Sequence, residues 1–422
     1  MFLKAIEYMI KKISAHRVTG QLHAPASKSV AQRAIAIACL AHGTSRIVHP
    51  GTSEDVLAAI GVARALGADV EQQPDRLIIK GGVSLPREPL HCGEAGLGIR
   101  MFSAIAATLN QPVILTGEGS LRSRPMDMIC SSLQAAGATC EASDGKIPIR
   151  VQGPLPGGVA HIDGSVSSQV LTGLLIAAAH ARQDVTLKVH DLKSRPYVDI
   201  TTQMMKDFGV EVENRNYQEF VIPAPQNYQA RTYVVEGDWS GAAFLLVAGA
   251  LGGHIRLENL DMHSPQADRA IMEALKSSGA SIRADKSGIE INKAPLHAFN
   301  FDATHCPDLF PPLVALAAGC KGLSVIKGVG RLKVKESDRA LALVQEFSKL
   351  GLAIYTENDN MYIEGGNVLK SARVHSHHDH RIAMACAVAS LLTDGCVEIE
   401  EAQVVAKSYP GFYEDFARIS GE

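Results

Sequence analysis

Six glycines, Gly67, Gly137, Gly209, Gly279, Gly351 and Gly421, recur at spacings of 70 or 72 residues along a chain of 422. The first five close amphipathic, helix-like stretches: VARALG, SLQAAG, MMKDFG, ALKSSG and FSKLG. Four of them lead clearly into a short β-like pair split by polar residues, as in ADVEQQPDRLIIKG and LAIYTENDNMYIEG. A helix that ends on a left-handed residue before turning into a strand favours glycine there. The ladder therefore predicts one unit used six times. Only one residue follows Gly421, so the strand pair of the sixth unit is expected from the N-terminal segment around KKISAHRVTGQLHAP.

A second series runs in step with the first. Six apolar, small-residue helices are expected to begin near Ser27, Gly96, Ser167, Trp239, Asp308 and His380. Each is apolar on nearly every face, which predicts burial inside a domain, and the runs are too short and broken to span a bilayer. Polar and charged residues gather at their starting ends. Unpaired N–H groups and the positive end of the helix dipole make such ends suited to anions. If symmetry brings several together, a multiply anionic ligand is expected.

The length predicts two domains, with three units in each. The expected division is 25–235 for the N-terminal domain and 1–24 plus 236–422 for the C-terminal one. The two crossings would then form a hinge that opens and closes a cleft. A net charge of −3 argues against a general nucleic-acid track. Eight cysteines without CxxC pairs read as buried free thiols of a reducing cytosol. Lys4 and Glu7 interrupt the leading apolar stretch, which makes a poor signal peptide, and a start at Met9 would make residues 1–8 an upstream extension.

Four constellations carry chemistry. PASKSVAQRA places Lys28, Ser29 and Arg33 at a helix start, suited to phosphate or carboxylate, with capping by Ser27 as the plain alternative. GSVSSQ offers Ser165, Ser167, Ser168 and Gln169 at another, again with capping as the alternative. GRLKVKESDRA carries Arg331, Lys333, Lys335, Glu336, Asp338 and Arg339, a solvated charged turn unless it joins Arg100, Arg124, Arg381 and Lys407. Asp308 and Glu336 are the candidates for acid and base. VHSHHDHRIAM has the residue types of a metal site in His375, His377, His378, Asp379 and His380, but its spacing fits no metal pattern; a polar loop delivering Arg381 is the preferred reading.

These segments, in this order, resemble the 5-enolpyruvylshikimate-3-phosphate synthase family of enolpyruvyl transferases over about residues 12–420. The segments that carry the resemblance are PASKSVAQRA, DGSVSSQVLTGLL, SRPYVDIT, VEGDWSGAAF, RLKVKESDRA, DHRIAMA and AKSYPGFYEDF. The resemblance implies an α/β (α+β) fold: a two-domain inside-out α/β barrel of six βαβαββ repeats. It implies transfer of the enolpyruvyl group of phosphoenolpyruvate to the 5-hydroxyl of shikimate 3-phosphate with release of phosphate, in aromatic amino-acid biosynthesis, with no cofactor, no metal and no covalent enzyme intermediate. It also implies a monomeric cytoplasmic enzyme that uses neither nucleic acid nor membrane.

Carried over by position, Lys28 resembles the lysine that touches both substrates. Ser29, Arg33, Ser167, Ser168, Gln169, Ser194, Asp308 and Lys335 fall where the family binds shikimate 3-phosphate. Gly96, Arg124, Gln169, Arg339, Arg381 and Lys407 fall on the phosphoenolpyruvate side. Asp308 resembles the carboxylate that accepts the hydroxyl proton, and Glu336 the acid that protonates the methylene carbon.

Departures concentrate in CGEAGLGIRM, where Glu94, Leu97 and Met101 replace the family's common Asn, Thr and Pro. They bear on phosphoenolpyruvate affinity and on the response to glyphosate, the family's competitive inhibitor and a further expected ligand. Ala26 and Gln32 replace Gly and Asn, and Arg331 stands at a common Asn, so Arg331 is left outside the expected set. Two readings compete. The sister transferase acting on UDP-N-acetylglucosamine has a reactive loop cysteine, which GEGSLRSRPM lacks. A non-catalytic repeat scaffold would not need Asp308 and Glu336 beside so many cations.

Overall fold

The computed structural model describes residues 9–165, 167–333 and 335–421. The leading stretch with Lys4 and Glu7 lies outside the described residues, as do Val166 within GSVSSQ and Val334 within GRLKVKESDRA.

All six ladder glycines are left-handed, with φ between 75° and 102°. The first five follow a helix and turn the chain into an antiparallel hairpin such as Asp69–Gln73 with Arg76–Lys80 or Ala353–Glu357 with Asn360–Gly365. A complete unit reads off the second repeat. Strand Leu90–His91 leads through the buried helix Gly96–Ala106 to Val113–Thr116, then through the helix Asp127–Ala135 to the hairpin Thr139–Ser143 and Lys146–Gln152. The first two strands pair in parallel, and the hairpin adds antiparallel. A parallel pair needs a crossover, and the buried helix is that crossover.

The chain forms two compact units. One is Ala26–Glu236; the other joins the chain up to Pro25 to the stretch from Gly237 onward. Among the described residues each has three sheets and three buried helices, the six-repeat inside-out α/β fold. In the first unit, Thr232–Val234 returns to pair in parallel with Thr44–Val48, so the end of the segment supplies the opening strand of its first repeat. In the second, Val18–His23 does the same for Gly253–Glu258.

This differs from the expectation that both N-terminal strands complete the sixth repeat. Among the described N-terminal residues only Lys11–Ile13 joins that sheet, antiparallel to Val397–Glu400, and its described strands number three. Val18–His23 goes to the fourth repeat because the helix Trp239–Gly252 and the strand after it need a parallel partner.

The buried helices explain their composition. All 14 residues of Trp239–Gly252 are buried, as is almost every residue of Gly96–Ala106, Ser168–Ala178, Phe310–Gly319 and His380–Ala389. Each large apolar side chain so placed is worth about 1.5–3 kcal/mol against exposure. Small residues let these helices approach closely: a Cβ on Gly173 would lie 2.7 Å from the Arg100 carbonyl oxygen. Among the described residues no helix is long and apolar enough to cross a membrane.

Candidate active site

In the unit Ala26–Glu236, the starts of the three buried helices lie at one end. Ser27 is the N-cap residue of Lys28–Leu40, without a side-chain cap bond, and Ser167 caps Ser168–Ala178 by accepting from the Gln169 N–H. Capping is therefore Ser167's structural role, while Ser168 is buried behind it. Lys28 Nζ sits 2.8 Å from Asp55 Oδ2, a largely buried pair that holds the ammonium at the helix start. Sequence reasoning missed Asp55; its only signal was an acid in the first turn of the helix after Ser53.

Gly96 is where two guanidinium groups converge. A Cβ there would stand 2.4 Å from Arg124 Nη1 and 2.9 Å from Arg100 Nη1. Arg100 donates to the Gly96 carbonyl at 2.9 Å and to Gln169 Oε1 at 3.1 Å, tying the second helix start to the third. Arg124 is buried and follows directly on the turn Gly119–Ser123.

Arg33 is not presented as the sequence suggests. It is 1% exposed and donates from Nε to Thr201 Oγ1, from Nη1 to the Ser29 carbonyl, and from Nη2 to Thr172 Oγ1 and the Tyr197 carbonyl. Burial pulls its pKa down to about 10. Of five N–H donors, these bonds leave one for a ligand. Ser29 lies at the helix surface, half-buried. Ser194 is buried and left-handed (φ 54°) at the start of the helix Arg195–Asp207. Left-handed conformations are unusual for serine and cluster at functional sites.

In the other unit, three acidic residues and three cations form one network, with a fourth acid, Asp268, close enough to feel the charges of Asp308 and Arg381. Asp308 Oδ1 accepts from Arg339 Nη1 at 2.8 Å and from Lys335 Nζ at 3.1 Å, and its Oδ2 from Arg381 Nη2 at 3.2 Å. Glu336 Oε2 accepts from Arg339 Nη2 at 2.7 Å. Behind them Asp379 Oδ2 takes Arg339 Nε at 2.9 Å and the Ser337 hydroxyl at 3.1 Å, while its Oδ1 caps the Arg381 N–H at 3.0 Å. Burial alone would raise the Asp308 pKa, but Arg381, Lys335 and Arg339 outweigh it and hold the carboxyl well below the usual range. Burial lowers the Lys335 pKa; Asp308 opposes this and Arg339 adds to it.

Asp308 lies in a short turn, Pro307–Leu309, just before the helix Phe310–Gly319, not at its first residue. The fourth acid, Asp268, is almost fully buried and accepts from the Ser240 hydroxyl. Burial, then the nearby Asp308 charge, push its pKa up to about 6. Lys407 is buried at the end of the turn Ala402–Lys407, which packs on the helix His380–Ala389. Arg331 Nη1 lies 3.4 Å from the Thr304 carbonyl.

The histidine segment has side-chain partners on other elements. His377 Nε2 lies 2.7 Å from Glu346 Oε1, and His378 Nδ1 2.8 Å from Glu401 Oε2. Arg381, the second residue of the helix His380–Ala389, follows Asp379 into the network through Asp308. Asp379 itself was named only as part of the histidine cluster, and its capping position before His380 was the usable signal.

Chemically, the second unit's network offers one carboxylate held ionised and a second carboxyl on the same guanidinium. A family model described as EPSP synthase (3-phosphoshikimate 1-carboxyvinyltransferase) matches residues 13–416. The 3-phosphoshikimate 1-carboxyvinyltransferase of Clostridium novyi (strain NT) is 37% identical, with 97% of each chain covered. The protein of that name from Methanocorpusculum labreanum is 38% identical, covering 97% of this chain and 98% of its own. A solved structure of EPSP synthase from Acinetobacter baumannii matches with a TM-score of 0.82 at 26% identity, covering 97% of this chain and 98% of that one. With its network of acids and cations and a family match over nearly its whole length, this chain belongs to the EPSP synthase (3-phosphoshikimate 1-carboxyvinyltransferase) family.

Proposed function

We propose that this enzyme transfers the enolpyruvyl group of phosphoenolpyruvate to the 5-hydroxyl of shikimate 3-phosphate and releases phosphate, by addition and elimination through a tetrahedral intermediate. The observation that carries the reading is Asp308, held by Lys335, Arg339 and Arg381 within 3.2 Å, with Glu336 on the same Arg339.

A carboxylate among three cations stays charged but is a weak base. The phosphate and carboxylate of phosphoenolpyruvate share Arg339 and Arg381 with Asp308, which removes part of that stabilisation and raises the basicity of Asp308. Asp308 then takes the proton of the 5-hydroxyl as the oxygen attacks. Glu336 gives a proton to the methylene carbon, and the adjacent carbon becomes cationic and accepts the hydroxyl oxygen. In the second half the methyl group returns its proton to the Glu336 carboxylate, the carbon–carbon double bond re-forms, and the bond to phosphate breaks as the proton held by Asp308 passes to the departing phosphate oxygen. Fixed cations offset the charge throughout.

Catalysis falls to Asp308, Glu336 and Lys28. Shikimate 3-phosphate is bound by Lys28, Ser29, the remaining donor of Arg33, Ser167, Ser168, Gln169, Ser194, Asp308 and Lys335. Phosphoenolpyruvate is bound by Lys28, Gly96, Arg124, Gln169, Arg339, Arg381 and Lys407. On this reading the residues of 25–235 act mainly on shikimate 3-phosphate. The enzyme works as a cytoplasmic monomer, and glyphosate competes on the phosphoenolpyruvate side. The test is proton NMR of the purified chain mixed with both substrates: an enolpyruvyl ether at the 5-hydroxyl supports the reading, and unchanged substrates sink it.

A further inference from the structure

Glu94 Oε2 accepts both the backbone N–H and the hydroxyl of Ser120, each at 2.7 Å. Both donors belong to the turn Gly119–Ser123, and the residue that ends this turn is Arg124. The contact is close along its length: at Gly119, itself left-handed at φ 53°, a Cβ would lie 2.1 Å from Glu94 Cδ. Arg124 then runs back over Gly96, two residues beyond Glu94, with its Nη1 2.4 Å from where a Cβ would stand. The carboxylate and the guanidinium thus close a small circuit: Glu94 to the turn, the turn to Arg124, Arg124 to the helix start that follows Glu94.

We propose that Glu94 is a positioning residue that clamps the Gly119–Ser123 turn and thereby sets Arg124 over the start of the helix Gly96–Ala106. Hydrogen bonds to an ionised acceptor are roughly twice as strong as neutral ones, so a shared carboxylate oxygen is an effective tie for a five-residue turn. The same geometry gives a carboxylate a place beside an anion site, because its charge is directed at the turn's donors and not at the ligand. Serine at 120 supplies the second bond, and glycine at 119 supplies the room.

The inference rests on the assignment of Arg124 to phosphoenolpyruvate made above, so its test has one readout that needs activity and one that does not. In steady-state kinetics, Glu94→Ala is expected to raise the KM for phosphoenolpyruvate about tenfold or more, with the KM for shikimate 3-phosphate nearly unchanged. Ser120→Ala, which keeps the backbone bond, has a smaller effect in the same direction, and it adds little on top of Glu94→Ala because both remove one contact. In hydrogen exchange, the Ser120 amide is protected in the parent chain and loses that protection in Glu94→Ala.

An active parent enzyme whose Glu94→Ala variant keeps its phosphoenolpyruvate KM overturns the clamp. So does a Glu94→Gln variant that binds phosphoenolpyruvate more tightly while Ser120→Ala changes nothing, since that marks Glu94 as a charge facing the ligand. An inactive parent enzyme with a Ser120 amide that depends on Glu94 sinks the functional reading and leaves the clamp standing.

Discussion

Arg339 and Asp379 form an ion pair in which neither side chain has any exposed surface, with Nε 2.9 Å from Oδ2. Burial works against the charge on Arg339, but Asp379, Glu336 and Asp308 together outweigh it and raise its pKa. Asp379 therefore fixes the back of the guanidinium while its two Nη groups face Asp308 and Glu336. Asp308 and Glu336 take their spacing from one planar group.

Removing Asp379 leaves a buried guanidinium short of its main partner. Asp379→Ala is expected to cost about 3–5 kcal/mol of stability, read as a lower midpoint in urea unfolding. A change under about 1 kcal/mol would mean that Glu336 and Asp308 suffice to hold Arg339.

The proposed reaction assigns its proton transfers to the two other carboxylates, Asp308 and Glu336. Asp308→Ala and Glu336→Ala are each expected to lower kcat by about 10²–10⁴ while KM for both substrates changes much less. A loss confined to KM would leave both as ligands with no part in the proton transfers.

Gly96→Ala places a methyl group 2.4 Å from Arg124 Nη1. The obstructed atom is the far end of a flexible side chain, so the fold tolerates the change, and alanine is the better helix former by roughly 0.5–1 kcal/mol. The expected outcome is an unchanged or higher melting temperature with a raised KM for phosphoenolpyruvate. A lower melting temperature with an unchanged KM would place the strain in the backbone.

Asp268 gives stability a pH dependence of definite sign. Burial first, then the charges of Asp308 and Asp238, raise its pKa to about 6 from 3.8; Arg381 and the Ser240 hydroxyl oppose them. The cost of keeping it ionised is therefore absent below about pH 3.8, appears as pH rises through 6, and is complete above that. The two-unit shift amounts to about 3 kcal/mol. Asp268→Asn removes the titration, so its melting temperature relative to the parent chain should improve from pH 5 to pH 8. A difference that stays flat over that range would contradict the assignment.

The repeat was legible because each unit needs the same punctuation. A left-handed residue must follow each outer helix, and an apolar helix must cross each parallel strand pair. Helix starts at Gly96, Trp239 and His380 could be read for the same reason. Strand pairing at distance was harder: Val18–His23 has no local signal for a partner more than 200 residues away at Gly253–Glu258. Partners of charges were also hidden. Asp55 and Asp379 look like ordinary first-turn and capping acids, and only the fold shows that they hold Lys28 and Arg339. Arg33 shows the converse, since a cation at a helix start looks available until Thr172, Thr201 and Tyr197 arrive from the third repeat.

The central claim is the reaction, and phosphate release measures it most directly. The purified chain should release phosphate from phosphoenolpyruvate only when shikimate 3-phosphate is present. Equal release with UDP-N-acetylglucosamine, or none with either acceptor, would contradict it.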